Sequence, residues 1–254
     1  MKPKRIELLG VPVDCVDMAQ ALEIVDSFIQ GDRCQSIIAV NPEKVIRARE
    51  DPELLACLKQ ASLLIPDGIG VVLAARILSL AKMERVPGSE LMPAICERSA
   101  RLGYRVFLFG ASPEVNERAK SILLARYPGL QIVGNQHGFI PEDQFSDLIR
   151  RINEAQTQIL FVALGSPKQE AWLAKHASSL DAKVCQPIGG TLDVIAGRVR
   201  RAPHVMRRLN LEWLYRLLSQ PQRIFRQTAL PKFVWQVLLN RARRRTGVRR
   251  HHLE

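Results

Sequence analysis

Polar and glycine-rich clusters recur at five places in the chain, each directly after a short apolar run. Asn41-Pro42 follows SIIAV, and Asp67-Gly68 follows SLLIP. Gly110-Ala111-Ser112-Pro113 follows RVFLF, and Gly165-Ser166-Pro167-Lys168-Gln169-Glu170 follows QILFVAL. Gly189-Gly190-Thr191, with Asp193, follows AKVCQP. A small residue opening a helix presents backbone N–H groups and the positive end of the helix dipole, which together hold phosphate. One such turn often does no more than close a strand–helix connection. Five of them point to a nucleotide or a sugar phosphate as ligand. Asp67 is the candidate catalytic carboxylate, because at a strand end beside Gly68 its side chain can face a cleft; the competing reading makes it the N-cap of the next helix. Lys168 and Gln169 either orient a ligand or form an ordinary solvated helix start. Arg85, ahead of the turn Val86-Pro87-Gly88, either binds an anion or is a surface charge. His137 in NQHGF reads as a loop residue rather than a base, since no partner acid is evident.

The elements that must position these residues alternate. RIELLGVPVDCV predicts an N-terminal strand pair, and Asp17 caps a helix to about Ile29. Further strands are expected at 36–40, 62–66, 105–110, 131–135, 158–165 and 182–187. Helices are expected up to Gln60, from Gly68 towards Ser79, over Pro87–Arg101, Pro113–Arg126 and Pro141–Ala155, and from near Pro167. Strand–helix alternation with continuous apolar strands predicts an α/β fold, a Rossmann-like, mainly parallel sheet with helices on both faces. Ligands of such sheets bind beyond the C-terminal strand ends, so the five clusters should share one rim.

Charge divides the chain of 254 residues, whose net charge is +12. Residues 198–254 carry 15 Lys or Arg against Glu212 and Glu254, whereas residues 1–197 are nearly neutral. This predicts a neutral body, the α/β domain, over 1–197 and a basic helical C-terminal appendage over 198–254, read as short amphipathic helices punctuated by Pro203, Pro221 and Pro231. Such a segment suits an anionic partner. Leu209, Trp213 and Leu217 form a stripe that suits a core-facing helix. Phe233, Val234, Val237 and Leu238, followed by Arg241, Arg243, Arg244 and Arg245, resemble an interfacial membrane anchor.

Other classes are disfavoured. The five scattered cysteines suit neither a disulfide framework nor a zinc site, and fit a reducing cytoplasm. The N-terminal MKPKRIELLG does not read as a signal peptide, and the apolar stretch Leu63–Ala81 is interrupted by Asp67 and Arg76, so membrane contact is expected to be peripheral. GxGxxG, P-loop, GxSxG and HExxH motifs are absent. Asp-x-Asp is absent too, so no metal or other cofactor is expected, and in a nucleotide-sugar transferase built this way something else, such as arginine, must neutralise the leaving group. Two rivals stay open: a nucleic-acid-binding protein using the Arg-rich tail, and a non-catalytic nucleotide-sugar sensor.

The segments NPEKV (41–45), IPDGIGVV (65–72), RVPGSEL (85–91), VFLFGASPEV (106–115), VALGSPKQE (162–170), GGTLDVIAGRVRRAP (189–203) and LEWLYRLLSQPQRIFRQ (211–227) together resemble the WecG/TagA/CpsF family, glycosyltransferase family 26. The resemblance implies an inverting, metal-independent transferase. It would move an N-acetylmannosamine-type sugar from a UDP donor to a polyprenyl-diphosphate-linked N-acetylglucosamine in bacterial surface polysaccharide synthesis. The donor sugar is left open among N-acetylmannosamine, its uronate and glucose, and GSPKQE and LEWLYRLLSQP lean towards the uronate. By motif position Asp67 corresponds to the general base, and Arg85 and Gln169 to other active-site residues. Arg216, Arg223 and Arg226 correspond to arginines of an appendage that closes over the site. Asn41, Gly68, Gly110, Ser112, Gly165, Lys168, Gly189, Gly190, Thr191 and Asp193 complete the expected substrate-binding set. Two positions depart from the family pattern: Ala39 stands where threonine is frequent, and QPIGG (186–190) where GVGG is usual. The expected location is cytoplasmic, peripheral on the inner face of the membrane, with nucleic acid not expected as a partner and the oligomeric state open.

Overall fold

A computed structural model describes residues 3–203, 205–206, 213–215 and 228–250. Six strands form one parallel sheet: β3 (Gln35–Val40), β4 (Leu63–Pro66), β5 (Arg105–Gly110), β6 (Gln131–Gln136), β7 (Ile159–Ala163) and β8 (Val184–Pro187). Their spatial order is β4-β3-β8-β7-β5-β6. β1 (Lys4–Leu8) and β2 (Val11–Cys15) make a separate antiparallel hairpin. It is tied to β4 through buried Asp14, which accepts from the backbone N–H of Leu64 at 2.8 Å and from Arg5.

The strands are apolar on both faces, and successive residues enter different cores. Ile37, Leu63, Leu108 and Phe161 face one side, under α1 (Met18–Ile29), α5 (Gly88–Leu102), α6 (Pro113–Arg126) and α9 (Thr191–Ile195). Ile38, Leu64, Phe109 and Val162 face the other. There α2 (Pro42–Glu50), α3 (Pro52–Gln60) and α4 (Ile69–Ile77) cover one half, and α7 (Phe145–Glu154) and α8 (Lys168–His176) the other. A period of two on a doubly covered sheet requires both sets to be apolar, so the runs look continuous. The predicted helix over Pro141–Ala155 is instead a 3₁₀ turn, Glu142–Gln144, leading into α7.

The last described helix, α10 (Ala229–Arg250), packs on α2 and α4. Pro231 does not punctuate it: proline is tolerated in a first turn, whose N–H groups lack intrahelical acceptors. The expected anchor run is also divided. Phe233 and Val237 are buried with Val45, Ile46, Val71 and Ala74, while Val234, Trp235 and Leu238 face outward. Phe233 and Val237 are one turn apart on one face, and Val234 and Leu238 follow about 100° further round the helix.

Candidate active site

The ends of β3, β4, β5, β7 and β8 carry the five clusters along one rim of the parallel sheet. At the β3 exit, Asn41 caps α2 by accepting from the Lys44 backbone N–H at 2.8 Å. Asp67, at the neighbouring β4 exit, is fastened to it: its N–H donates to the Val40 carbonyl at 2.8 Å. The capping role considered for Asp67 does not occur. The N-cap of α4 is Gly68, at φ 104°, and no side chain caps that helix. The left-handed backbone there suits glycine. Arg85 comes alongside because the Val86 N–H donates to Pro66 O at 2.9 Å, extending the chain beside the strand that ends at Asp67.

At the β5 exit, Gly110 lies against the β7 backbone. A Cβ there would sit 2.5 Å from the Ala163 carbonyl, so no larger residue fits. Ser112 caps α6, accepting from Val115 N at 3.3 Å. The β6 exit folds over this point: Gly138 N donates to Ala111 O at 2.8 Å, and Phe139 beside it is 75% exposed. His137 serves the loop as read, its Nδ1 accepting from Phe139 N at 3.2 Å. Glu114, on the first turn of α6, has its carboxyl held below the usual range by its own backbone N–H and by Ser112.

The β7 and β8 exits interlock. Lys168 is exposed, but Gln169 is buried. Its Oε1 accepts from Gly189 N at 2.9 Å, and its Nε2 donates to Glu170 Oε1 at 3.2 Å. Glu170 pairs with buried Lys44 at 2.6 Å. Gly165 has φ 78°, and its carbonyl accepts from Gln169 N. Gly190 is the N-cap of α9, and Thr191 turns its hydroxyl inward to Ile188 O at 2.6 Å. Asp193 is half-buried on α9.

Residues 198–201, at the expected domain boundary, cross the rim. Arg198 Nη1 reaches Ser112 Oγ at 3.4 Å, Val199 N donates to Asp193 O at 3.1 Å, and Arg201 Nη2 pairs with Glu90 at 2.7 Å. Glu90 also lies 3.9 Å from Arg85. Two guanidinium groups thus share one carboxylate. Arg201 Nε is buried with no partner among the described residues. Reading the residues one by one gave no role to Lys44, Glu90, Glu170, Arg198 or Arg201, though all five lie within the segments that carry the family resemblance. Arg216, Arg223 and Arg226 lie outside the described residues. Among the described residues no group of three His, Cys, Asp or Glu could hold a metal ion, and no helix is long and apolar enough to cross a membrane.

The sequence profile described as "Glycosyl transferase WecG/TagA/CpsF family" matches residues 6–247. Curated relatives include the N-acetylglucosaminyldiphosphoundecaprenol N-acetyl-beta-D-mannosaminyltransferases of Staphylococcus aureus strains MRSA252 and MW2. Each is 36% identical over 237 residues, covering 92% of this chain and 92% of the relative.

Proposed function

This chain belongs to the WecG/TagA/CpsF family of glycosyltransferases, and we propose that it transfers N-acetylmannosamine from a UDP donor, with inversion, to N-acetylglucosamine on a polyprenyl diphosphate. The observation that carries this reading is the rim itself: Asp67 at the β4 exit, with Arg85, which the Val86–Pro66 hydrogen bond brings alongside that strand, and Arg201 both paired to Glu90. The plain sugar, rather than its uronate, is favoured by the names of the relatives.

In the proposed step the acceptor hydroxyl attacks the anomeric carbon while UDP leaves from the opposite face. Asp67 takes the hydroxyl proton, and a positioned base of this kind contributes roughly 10²–10⁴-fold. Charge develops on the β-phosphate as the bond breaks. Arg85 and Arg201, joined by the appendage arginines Arg216, Arg223 and Arg226, stabilise it. Two unit charges about 4 Å apart attract by about 4 kcal/mol at an effective dielectric of 20, enough to make each guanidinium matter. Backbone N–H groups of Ser112, Gly165 and Gly190 suit the remaining phosphate oxygens, and exposed Phe139 offers a face for a base.

The acceptor is a lipid, so the site must work at a membrane surface. The body at 1–197 is assigned the chemistry, and the segment from 198 onward the lid and the docking. On α10 the outward Val234, Trp235 and Leu238 lie close in sequence to Arg241, and α4, against which α10 packs, exposes Leu73 and Ile77. Apolar side chains next to basic ones suit an anionic interface.

The test is transfer from UDP-N-acetylmannosamine to a short-chain polyprenyl-diphosphate N-acetylglucosamine in the presence of excess chelator. Product with inverted anomeric configuration is expected. Activity that vanishes with chelator and returns with magnesium would overturn the metal-free chemistry. Salt-sensitive binding of duplex nucleic acid without any UDP binding would favour the nucleic-acid reading.

A further inference from the structure

We infer that the buried Lys44–Glu170 pair is the positioning device of the donor site: it sets Gln169, and through Gln169 the Gly189–Gly190 turn. The inference rests on the proposed nucleotide-sugar reading for its kinetic consequence, though not for its geometry. Lys44 is the third residue of α2, after the β3 exit; Glu170 is the third residue of α8, after the β7 exit. In the sheet β8 lies between β3 and β7, so the 2.6 Å ion pair bridges across the strand whose exit carries the Gly-Gly turn.

Each link in this chain has a definite direction. A backbone N–H can only donate and a carboxylate can only accept, so Gly189 N fixes the Oε1 end of the Gln169 amide, and Glu170 fixes the Nε2 end. The amide therefore has one orientation. Lys44 neutralises the carboxylate that holds it. Asn41 caps the same turn by accepting from the Lys44 N–H. Three rim groups on three strand exits (Asn41, Gln169 and Gly189) are thus placed relative to one another by two residues set behind the rim.

Stability alone does not account for the pair. Removing two charges from water is costly, and apolar residues of similar volume commonly serve as well or better in such places. Glu170 is also only partly satisfied, since Oε2 is buried with no partner among the described residues. What an apolar pair cannot supply is an acceptor for Gln169 Nε2.

The experiment compares two double variants of the full chain. Lys44→Met/Glu170→Met removes the charges and the acceptor; Lys44→Met/Glu170→Gln removes the charges but keeps a carbonyl. Three readouts are taken: amide exchange at Gly189, affinity for UDP, and separate KM values for donor and lipid acceptor. One lost hydrogen bond corresponds to about a tenfold change. The double-Met protein is expected to exchange Gly189 about tenfold faster and to bind UDP about tenfold more weakly. Its donor KM should rise in step while the acceptor KM stays put, and the Met/Gln protein should recover most of each loss. A folded double-Met protein with native Gly189 protection and native donor KM overturns the inference. Should double-Met fail to fold, the Met/Gln protein decides: native Gly189 protection and donor KM support the relay, and loss of either overturns it. If Gly189 responds as described but wild-type protein neither binds UDP nor transfers sugar, the relay stands and the functional reading falls.

Discussion

The two ends of the rim are built in opposite ways. Across β3, β8 and β7 the ionic pair is buried and charge-neutral, with Lys44 and Gln169 both donating to Glu170, and Gly189 N donating to Gln169. At the β4 and β5 exits the groups are arginines, two on a strap and Arg85 ahead of α5, all at least partly exposed, with Arg85 and Arg201 sharing Glu90. The first arrangement is a preorganised floor, whose value is geometry and which salt barely touches. The second acts through charge, reaches an anion before contact is made, and weakens as ionic strength rises. A transferase that must hold a nucleotide sugar in one pose and also receive the negative charge of its leaving group has use for both.

That contrast can be broken or sharpened experimentally. The largest change is expected from Asp67→Asn, which should lower turnover by roughly 10²–10⁴-fold with the urea midpoint unchanged; a rate near wild type would remove the base from the scheme. Next comes the single variant Glu170→Met, which strands a buried lysine. It should lose about 3–5 kcal/mol in urea unfolding, most of it returned when Lys44→Met is added. If the single variant is as stable as wild type, the floor is not a buried ionic structure. Phe233→Ala should cost about 3–5 kcal/mol in the same measurement by opening a cavity under α10. Trp235→Ala should leave stability within about 0.5 kcal/mol while reducing sedimentation with anionic liposomes. Equal effects of the two would mean that α10 does not divide its faces as described. The smallest change belongs to the strap: Arg201→Gln should weaken UDP binding about tenfold at low salt, and the difference from wild type should shrink as salt is added. A loss that does not depend on salt would place Arg201 with the floor instead.

Much of the fold was legible in order along the chain. Asp17 caps α1 through a reciprocal capping box with Gln20, and the strand positions agree with the apolar runs to within a residue or two. Asn41 and Ser112 sit before prolines that open helices, and both act as caps. The rim was legible for the same reason: parallel strands feeding helices leave their exits on one side, whatever the order of the strands. Other features were not. Lys44 and Glu170 are 126 residues apart, and a lysine in NPEKV looks like any solvated helix start until α8 is laid beside α2. The run 198–201 reads as a basic linker, and only its contacts with Ser112, Asp193 and Glu90 make it a strap. That the N-cap of α4 falls on Gly68 rather than Asp67 was decided by the backbone, which residue type alone leaves open.

What the amino-acid order determined, then, was everything that depends on neighbours within a turn or a strand: element types, caps, the glycine-bearing exits, and the charge divide at residue 198. Tertiary structure alone decided which charges were taken out of water together, and which face of α10 met the body. Local propensity reads energies of a few tenths to one kcal/mol between residues close in sequence. Burial of an ion pair or of a phenylalanine turns on several kcal/mol between residues far apart, and only the completed fold brings those into contact.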